Sequence, residues 1–308
     1  MGALRLGTNG TTVWIPAASG VLFMTSSPRP HRPAVVALSV LLLLTVGCTG
    51  LLQNLGARWV TRQIAVEFNL DETQTAATRA SVDRLMAAAP KALGSKIEML
   101  VATVDAAIAR GLTEQKLLGM ERQVDKLIDT VAGAIIDEAA PILATLRDDQ
   151  IEFVEKRIEK RLDEAREELA KPKEERLEKR QDAFVEAVED WAGSLRDEQV
   201  TALRVFVAGL PDEGAARLRA DERRVKRISE LAYTHPDAQA VRDALWSEWK
   251  NREDWGPDAR TPAARRAEGR QALLFVYGLF DAGQKDHASK HLHELHDKLK
   301  SFFGAAGS

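Results

Sequence analysis

The residues best suited to chemistry are four histidines near the carboxyl end of the chain: His287, His291, His293 and His296. On a helix, His287 and His291 lie four residues apart and share one face, with Glu294 beside them. Two imidazoles and a carboxylate at that spacing can bind zinc or another divalent metal. The alternative is that they form the polar flank of an amphipathic helix, since His293 and His296 project elsewhere.

No other catalytic signature occurs in the sequence. It contains no His-Glu-x-x-His, Gly-x-Ser-x-Gly, Walker loop or Gly-x-Gly-x-x-Gly. Charged residues make up 29% of the chain, but its net charge is only −3, so no basic excess points to nucleic acid. We therefore expect no enzymatic activity, no nucleic-acid partner and no cofactor apart from a covalent lipid on Cys48.

That expectation rests on Cys48, which is the only cysteine of the 308 residues. A positively charged segment and the apolar run 34–46 precede it. This run has the length of a signal-peptide core and is too short to span a bilayer. Residues 44–48, Leu-Thr-Val-Gly-Cys, resemble the lipobox of bacterial lipoproteins. The resemblance implies cleavage between Gly47 and Cys48 and acylation of Cys48, which would anchor the protein to a membrane. An ordinary signal peptide with an accidental cysteine is the alternative.

The residue after Cys48 also bears on location. It is Thr49, whereas many lipoproteins that stay at the inner membrane have Asp there. By this resemblance we expect the protein on the periplasmic face of the outer membrane. The first 47 residues contain three arginines and no acid, so their removal changes the net charge from −3 to −6.

The predicted signal peptide divides the sequence into three segments. Residues 24–47 are predicted to be the signal peptide, and residues 48–308 a helical periplasmic domain with a possible subdivision near 255–260. Residues 1–23 precede the positive segment and fit no part of a signal. We interpret them as a non-native extension, with Met24 as the true start.

Helical periodicity runs through the chain after Cys48. Apolar residues recur at steps of three and four, and no stretch alternates as a strand would. We therefore predict an all-α, elongated bundle of ten to eleven helices without a sheet. Pro90 is predicted to end one helix and Gly111 to cap the next. The predicted helices are 51–68, 71–88, 91–110, 114–145, 148–170, 173–194, 197–209, 213–233, 236–252, 261–280 and 284–303.

Several of these helices open with a related phrase, in which an apolar residue and a cap residue precede a glutamine. The glutamine side chain can reach back to the cap, and the apolar residue packs on the helix, as in a capping box with a hydrophobic staple. A weaker copy occurs at 280–284, and in 112–115 the glutamine comes one place early. The repeated residues are Leu70, Asp71, Gln74, Leu146, Gln150, Leu195 and Gln199.

The repeated phrase resembles the Leu-Thr-x-x-Gln motif of Spy-type periplasmic chaperones, which are all-helical, cradle-shaped and independent of ATP. A broader resemblance, over roughly 48–300, is to a family of uncharacterised Gram-negative helical lipoproteins. This resemblance implies a helical fold and an envelope location, with no established activity. It rests on Asn54 and Trp59, the step 68–71 with Gln74, the phrase 146–150, Pro-x-x-Glu-Arg-Leu at 172–177, Trp191 and the phrase 195–199.

The leading hypothesis is a lipid-anchored protein that binds unfolded or secreted protein clients. We expect an open groove lined by Leu, Val or Trp and rimmed by Arg and Glu. A steric foldase for one secreted enzyme and a metal-binding envelope protein are the alternatives. Two other features have more than one interpretation. Trp246, Trp249 and Trp255 belong either to the core or to a binding patch. The basic cluster 217–227 is either a solvated face or a contact for anionic lipid or an acidic client.

Overall fold

The computed structural model describes residues 49–304, so the predicted extension, the signal peptide and Cys48 lie outside the described residues. Within that range the chain is all-α, as predicted, and contains no strand. The helices are α1 (Thr49–Phe68), α2 (Glu72–Arg110), α3 (Glu114–Leu143), α4 (Asp148–Ala170), α5 (Lys173–Ala192), α6 (Asp197–Ala208), α7 (Gly214–Ala232), α8 (Ala238–Lys250), α9 (Pro262–Leu279) and α10 (Ala282–Gly304).

The predicted break at Pro90 is wrong, because Glu72–Arg110 is one helix with Pro90 inside it. A proline removes one backbone hydrogen bond, but the helix is packed on both sides of it. Val82 and Met86 contact α1, whereas Leu93 and its neighbours contact α3 and α10. Tertiary packing of both halves therefore overrides the local cost. Gly111 ends this helix with a positive φ of 97°, as a glycine can.

Within the described residues, four buried clusters connect the helices. One joins α1 to the first half of α2, and a second joins the middle of α2 to α3 and α10. A third joins the end of α2 to α3 and α9, through Ala107, Leu117 and Leu274. The largest joins α5, α6 and α9, where Leu203 and Val207 are fully buried. Helices α9 and α10 thus tie the second half of the chain to α2 and α3.

The described helices differ from membrane spans in composition. None of the helices within 49–304 is both long enough and apolar enough to cross a bilayer.

Candidate functional site

Two of the repeated glutamines meet at a buried joint between the α1–α2 and α3–α4 corners. Gln74 and Gln150 are 6% and 0% exposed. Each amide donates to the carbonyl oxygen of the other, at 3.1 Å from Gln74 Nε2 and 2.6 Å from Gln150 Nε2. Reciprocal pairing uses the donors and acceptors of both buried amides, which would be costly to leave unpaired.

The same two side chains also hold the backbone of both corners. Gln74 Nε2 donates to the carbonyl of Thr145 at 2.9 Å, and Gln150 Nε2 donates to the carbonyl of Asn69 at 2.7 Å. Their carbonyl oxygens accept the backbone N–H groups of Asp71 and Arg147, both at 3.1 Å. Each glutamine therefore caps its own helix and fixes the corner of the other.

The two cap residues of this joint have different roles. Asp71 Oδ1 accepts the backbone N–H of Gln74 at 2.9 Å, and Asp71 Oδ2 accepts from Arg147 Nη1 at 2.8 Å. An arginine side chain cannot accept a capping hydrogen bond, so Arg147 reaches across to the acid. The hydrogen bond from the Gln74 N–H, and then Arg147, lower the pKa of Asp71.

A second joint repeats this arrangement between the α5–α6 and α9–α10 corners. Gln199 and Gln284 exchange amide hydrogen bonds of 2.8 and 3.1 Å. Gln199 Nε2 also donates to the Leu279 carbonyl and Gln284 Nε2 to the Ser194 carbonyl. The weaker copy at 280–284 thus forms a complete joint, and Asp281 and Arg196 pair across it at 2.7 Å.

The phrase at 112–115 forms no such joint. Gln115 is exposed, and Thr113 caps α3 by accepting the backbone N–H of Lys116 at 3.3 Å. In a capping box the side chain that reaches back to the cap comes from the third helical position. Gln115 is at the second position, so its side chain cannot make that hydrogen bond. The spacing of the phrase, more than its composition, therefore decides which corners are joined.

A groove between α4 and α7 is the more open feature, with a volume of about 830 Å³. Its apolar lining comprises Leu162, Val225 and the ring of Tyr233. Leu162 is buried, Val225 is half-buried and Tyr233 is 41% exposed. The rest of the lining is Glu152, Glu155, Lys156, Glu159, Arg166, Glu222, Lys226, Ser229 and Glu230.

Polar contacts close the groove at both ends. At one end Arg166 bridges to Glu222 at 2.7 Å, next to the approach of Leu169 to Gly214. A β-carbon on Gly214 would lie 2.8 Å from Leu169, so glycine permits the close packing of α4 on α7 there. At the other end the Tyr233 hydroxyl donates to Glu155 at 2.7 Å. The groove between these ends is about 17 Å long, at 1.5 Å per helical residue.

Acidic groups outnumber basic groups in this lining, because five glutamates face two lysines and one arginine. The Tyr233 hydroxyl donates a hydrogen bond to Glu155, which raises the pKa of Tyr233 to about 12, so the phenol stays neutral. Glu159 most strongly, and then Glu222, raise the pKa of Arg166. A narrow apolar floor between acid-rich rims suits a polypeptide segment with apolar and basic side chains.

The predicted metal residues lie along α10. His291 packs edge-on against Trp191 of α5, with ring centroids 5.0 Å apart, and His287 lies against Gly193, which ends α5. Glu294 is exposed. Among the residues that the structure describes, no group of three or more His, Cys, Asp or Glu is placed to hold a metal ion. The structure therefore associates these histidines with the α5–α10 contact.

A pH dependence follows from the Trp191 contact. Burial lowers the pKa of His291, so folding favours its neutral form. The unfolded chain then binds the proton first, and stability is lost as the pH falls below the ordinary histidine pKa of about 6.5. We expect His291→Phe, which keeps a ring on Trp191, to reduce the loss of stability between about pH 7 and pH 5.

Chemical denaturation at both pH values measures this effect, with His293→Phe, at an exposed site 3.3 Å from Asp105, for comparison. An unchanged pH dependence in His291→Phe would contradict the assignment. Burial also raises the pKa of Asp190, and the sign of its effect is opposite: its contribution to stability is lost as the pH rises above its unfolded value of about 4.

The tryptophan and arginine clusters are used in packing. Trp249 Nε1 donates to Asp129 of α3 at 2.8 Å, and Trp246 lies against Gly133. Trp255 stacks on the buried Arg265, whose guanidinium is 3.9 Å from the ring centroid. In the basic cluster 217–227, Arg224 and Arg227 pair with Glu248 of α8, and Arg223 donates to the Trp255 carbonyl.

Sequence comparison places the chain in a family but gives it no activity. Residues 91–260 match DUF6279, a family of unknown function, and since the match covers more than half of the chain, the protein belongs to that family. No curated protein and no solved structure matches the chain. The function therefore has to be argued from the site.

Proposed function

We propose that the protein is a lipid-anchored envelope protein that binds segments of other polypeptides, without ATP, in the groove between α4 and α7. The anchor would be Cys48, on the periplasmic face of the outer membrane. The observation that carries the proposal is the groove itself, which has an accessible apolar floor and charged rims. The repeated glutamine phrase, which resembles that of Spy-type chaperones, also supports it.

The chemistry of the groove indicates what kind of segment binds. A length of about 17 Å accommodates about five residues of extended chain or about 11 residues of helix. Val225 and Tyr233 offer apolar surface that folding has left partly accessible. Because each contact is small and the charged rims are solvated, binding is weak and tolerant of sequence, as a holding chaperone requires. Basic side chains on the segment would complement the five glutamates.

Aggregation of an unfolded test protein measures this function. We expect the mature chain to slow aggregation at near-stoichiometric ratios without ATP. Val225→Asp, which places a carboxylate among the glutamates, should weaken client binding about five- to thirtyfold. Tyr233→Ala, which removes an exposed ring from the groove, should also weaken client binding.

Val205→Asp is the matched control, since Val205 is 68% exposed on α6 and does not line the groove. If Val225→Asp and Val205→Asp suppress aggregation equally well, binding in the groove is refuted. No suppression by the wild type, together with stoichiometric zinc binding that His287→Ala/His291→Ala abolishes, would favour the metal-binding alternative.

A further inference from the structure

The outer face of α1 has no protein partner in the described part of the chain. Trp59 and Val66 are 45% and 53% exposed, and Arg58 and Arg62 are exposed beside them. At 3.6 residues per turn, these four side chains occupy one sector of about 100°. The opposite side of α1, with Ala57 and Val60, packs against Val82 and Met86 of α2.

This outer face is basic. Neither Arg58 nor Arg62 forms an ion pair with the side chains that the structure describes. On the same helix, by contrast, Glu67 is bound by Arg157 and Arg161 at 2.9 and 2.7 Å. Both arginines line an open groove of about 870 Å³ between α1 and α2, together with Arg79, Asp71 and Glu72. Asp71 is already paired with Arg147 at 2.8 Å, so the lining keeps an excess of positive charge.

The length of α2 restricts how α1 can be oriented at a membrane. Ala57 and Val60 pack beside Val82 and Met86, so α2 runs back past the start of α1. It continues to Arg110, roughly 20–25 Å beyond that start at 1.5 Å per residue. An anchor at Cys48 would hold the start of α1 at the bilayer. If α1 stood upright, this part of α2, which carries charged side chains, would enter hydrocarbon. The charged residues are Lys96, Glu98, Asp105 and Arg110.

We propose that α1 lies along the membrane, with its outer face on the bilayer and with Arg58 and Arg62 binding the phosphates of anionic phospholipids. Trp59 would then sit at the interface, where an indole has both an apolar and a polar environment. The orientation rests on the lipid anchor proposed above, whereas the charge and exposure of the face do not depend on it. Each arginine near an anionic surface strengthens binding about fivefold.

Fluorescence quenching by brominated lipid tests the position of Trp59. The mature full-length chain, purified from membranes, is reconstituted into vesicles of phosphatidylcholine alone and of phosphatidylcholine mixed with phosphatidylglycerol. We expect quenching that is stronger in the anionic vesicles and is mostly lost in Trp59→Phe. No difference in quenching between wild type and Trp59→Phe, in either vesicle, would overturn the proposal.

Charge reversal tests the arginines. Arg58→Glu/Arg62→Glu should lower the Trp59 quenching in anionic vesicles to the level seen in phosphatidylcholine. Arg122→Glu/Lys173→Glu makes the same change of charge at exposed sites on α3 and α5 and should leave quenching unchanged. Equal effects of the two double variants would refute a specific role for α1.

The experiments distinguish refutation of the lipid anchor from refutation of the membrane-facing surface of α1. A chain without acyl mass that does not partition into phosphatidylcholine would refute the anchor. A chain that partitions but whose Trp59 is not quenched would refute the surface. Crosslinks from position 66 of α1 to a protein in cells, combined with unquenched Trp59, would assign the face to a protein partner and likewise overturn the proposal.

Discussion

Replacing Gln150 with alanine should lower the free energy of unfolding by about 2–4 kcal/mol. The side chain is fully buried and makes four hydrogen bonds, two with Gln74 and one each with the backbone of Asn69 and Arg147. Its removal leaves the buried amide of Gln74 and the Asn69 carbonyl without those partners. Urea denaturation followed by circular dichroism measures the loss.

Gln115→Ala is the matched control, because Gln115 belongs to the misplaced copy of the phrase and is exposed. We expect it to change stability by less than about 0.5 kcal/mol. The double variant Gln74→Ala/Gln150→Ala should cost less than the sum of the single variants, since the two amides no longer leave each other unpaired. Additive effects, or a loss in Gln150→Ala as small as in Gln115→Ala, would show that the joint does not stabilise the fold.

Replacing Cys48 with serine should release the protein from the membrane. Without the thiol no acyl chain can be attached at that position, and two or more acyl chains are needed for stable anchoring. Cell fractionation and the intact mass of the purified protein give the result. Thr49→Ser, one residue away, should keep both the membrane location and the added mass. Unchanged membrane association and mass in Cys48→Ser would refute the lipoprotein interpretation.

The helices were predictable because the signal that defines them is local. In α4, apolar residues recur at steps of three and four from Ile151 to Leu169, and the caps Asp71 and Gly111 directly flank the helix that they delimit. The one error came from Pro90, whose local effect is outweighed by packing against α1, α3 and α10. Nothing in the neighbourhood of Pro90 in the sequence reports those distant contacts.

The joints were predictable only in part. Each phrase predicts a capped helix, but the partner of Gln74 lies 76 residues away and that of Gln199 lies 85 residues away. One further signal was present in the sequence: each joint pairs an aspartate cap, at 71 or 281, with an arginine cap, at 147 or 196. Charge complementarity could therefore have suggested the pairing before the structure was known.

The α4–α7 groove could not be predicted from the sequence. Val225 and Tyr233 look like ordinary members of an amphipathic helix, and Leu162 belongs to the stripe of α4. The accessibility of Val225 and Tyr233 depends on how α4 packs on α7 between the close approach of Leu169 to Gly214 and the Tyr233–Glu155 hydrogen bond. That packing is a property of the tertiary structure, for which a single sequence has no pattern.

Site-specific photocrosslinking in living cells tests client binding in the groove most directly. A photoreactive amino acid replaces Ser229, which lines the groove, or Ser247, which is exposed on α8 outside it. We predict adducts to several envelope polypeptides from position 229, reduced by Val225→Asp, and few from position 247. Adducts to a single secreted enzyme would favour the steric-foldase alternative. Equal crosslinking from both positions, or none from position 229, would contradict the proposed function.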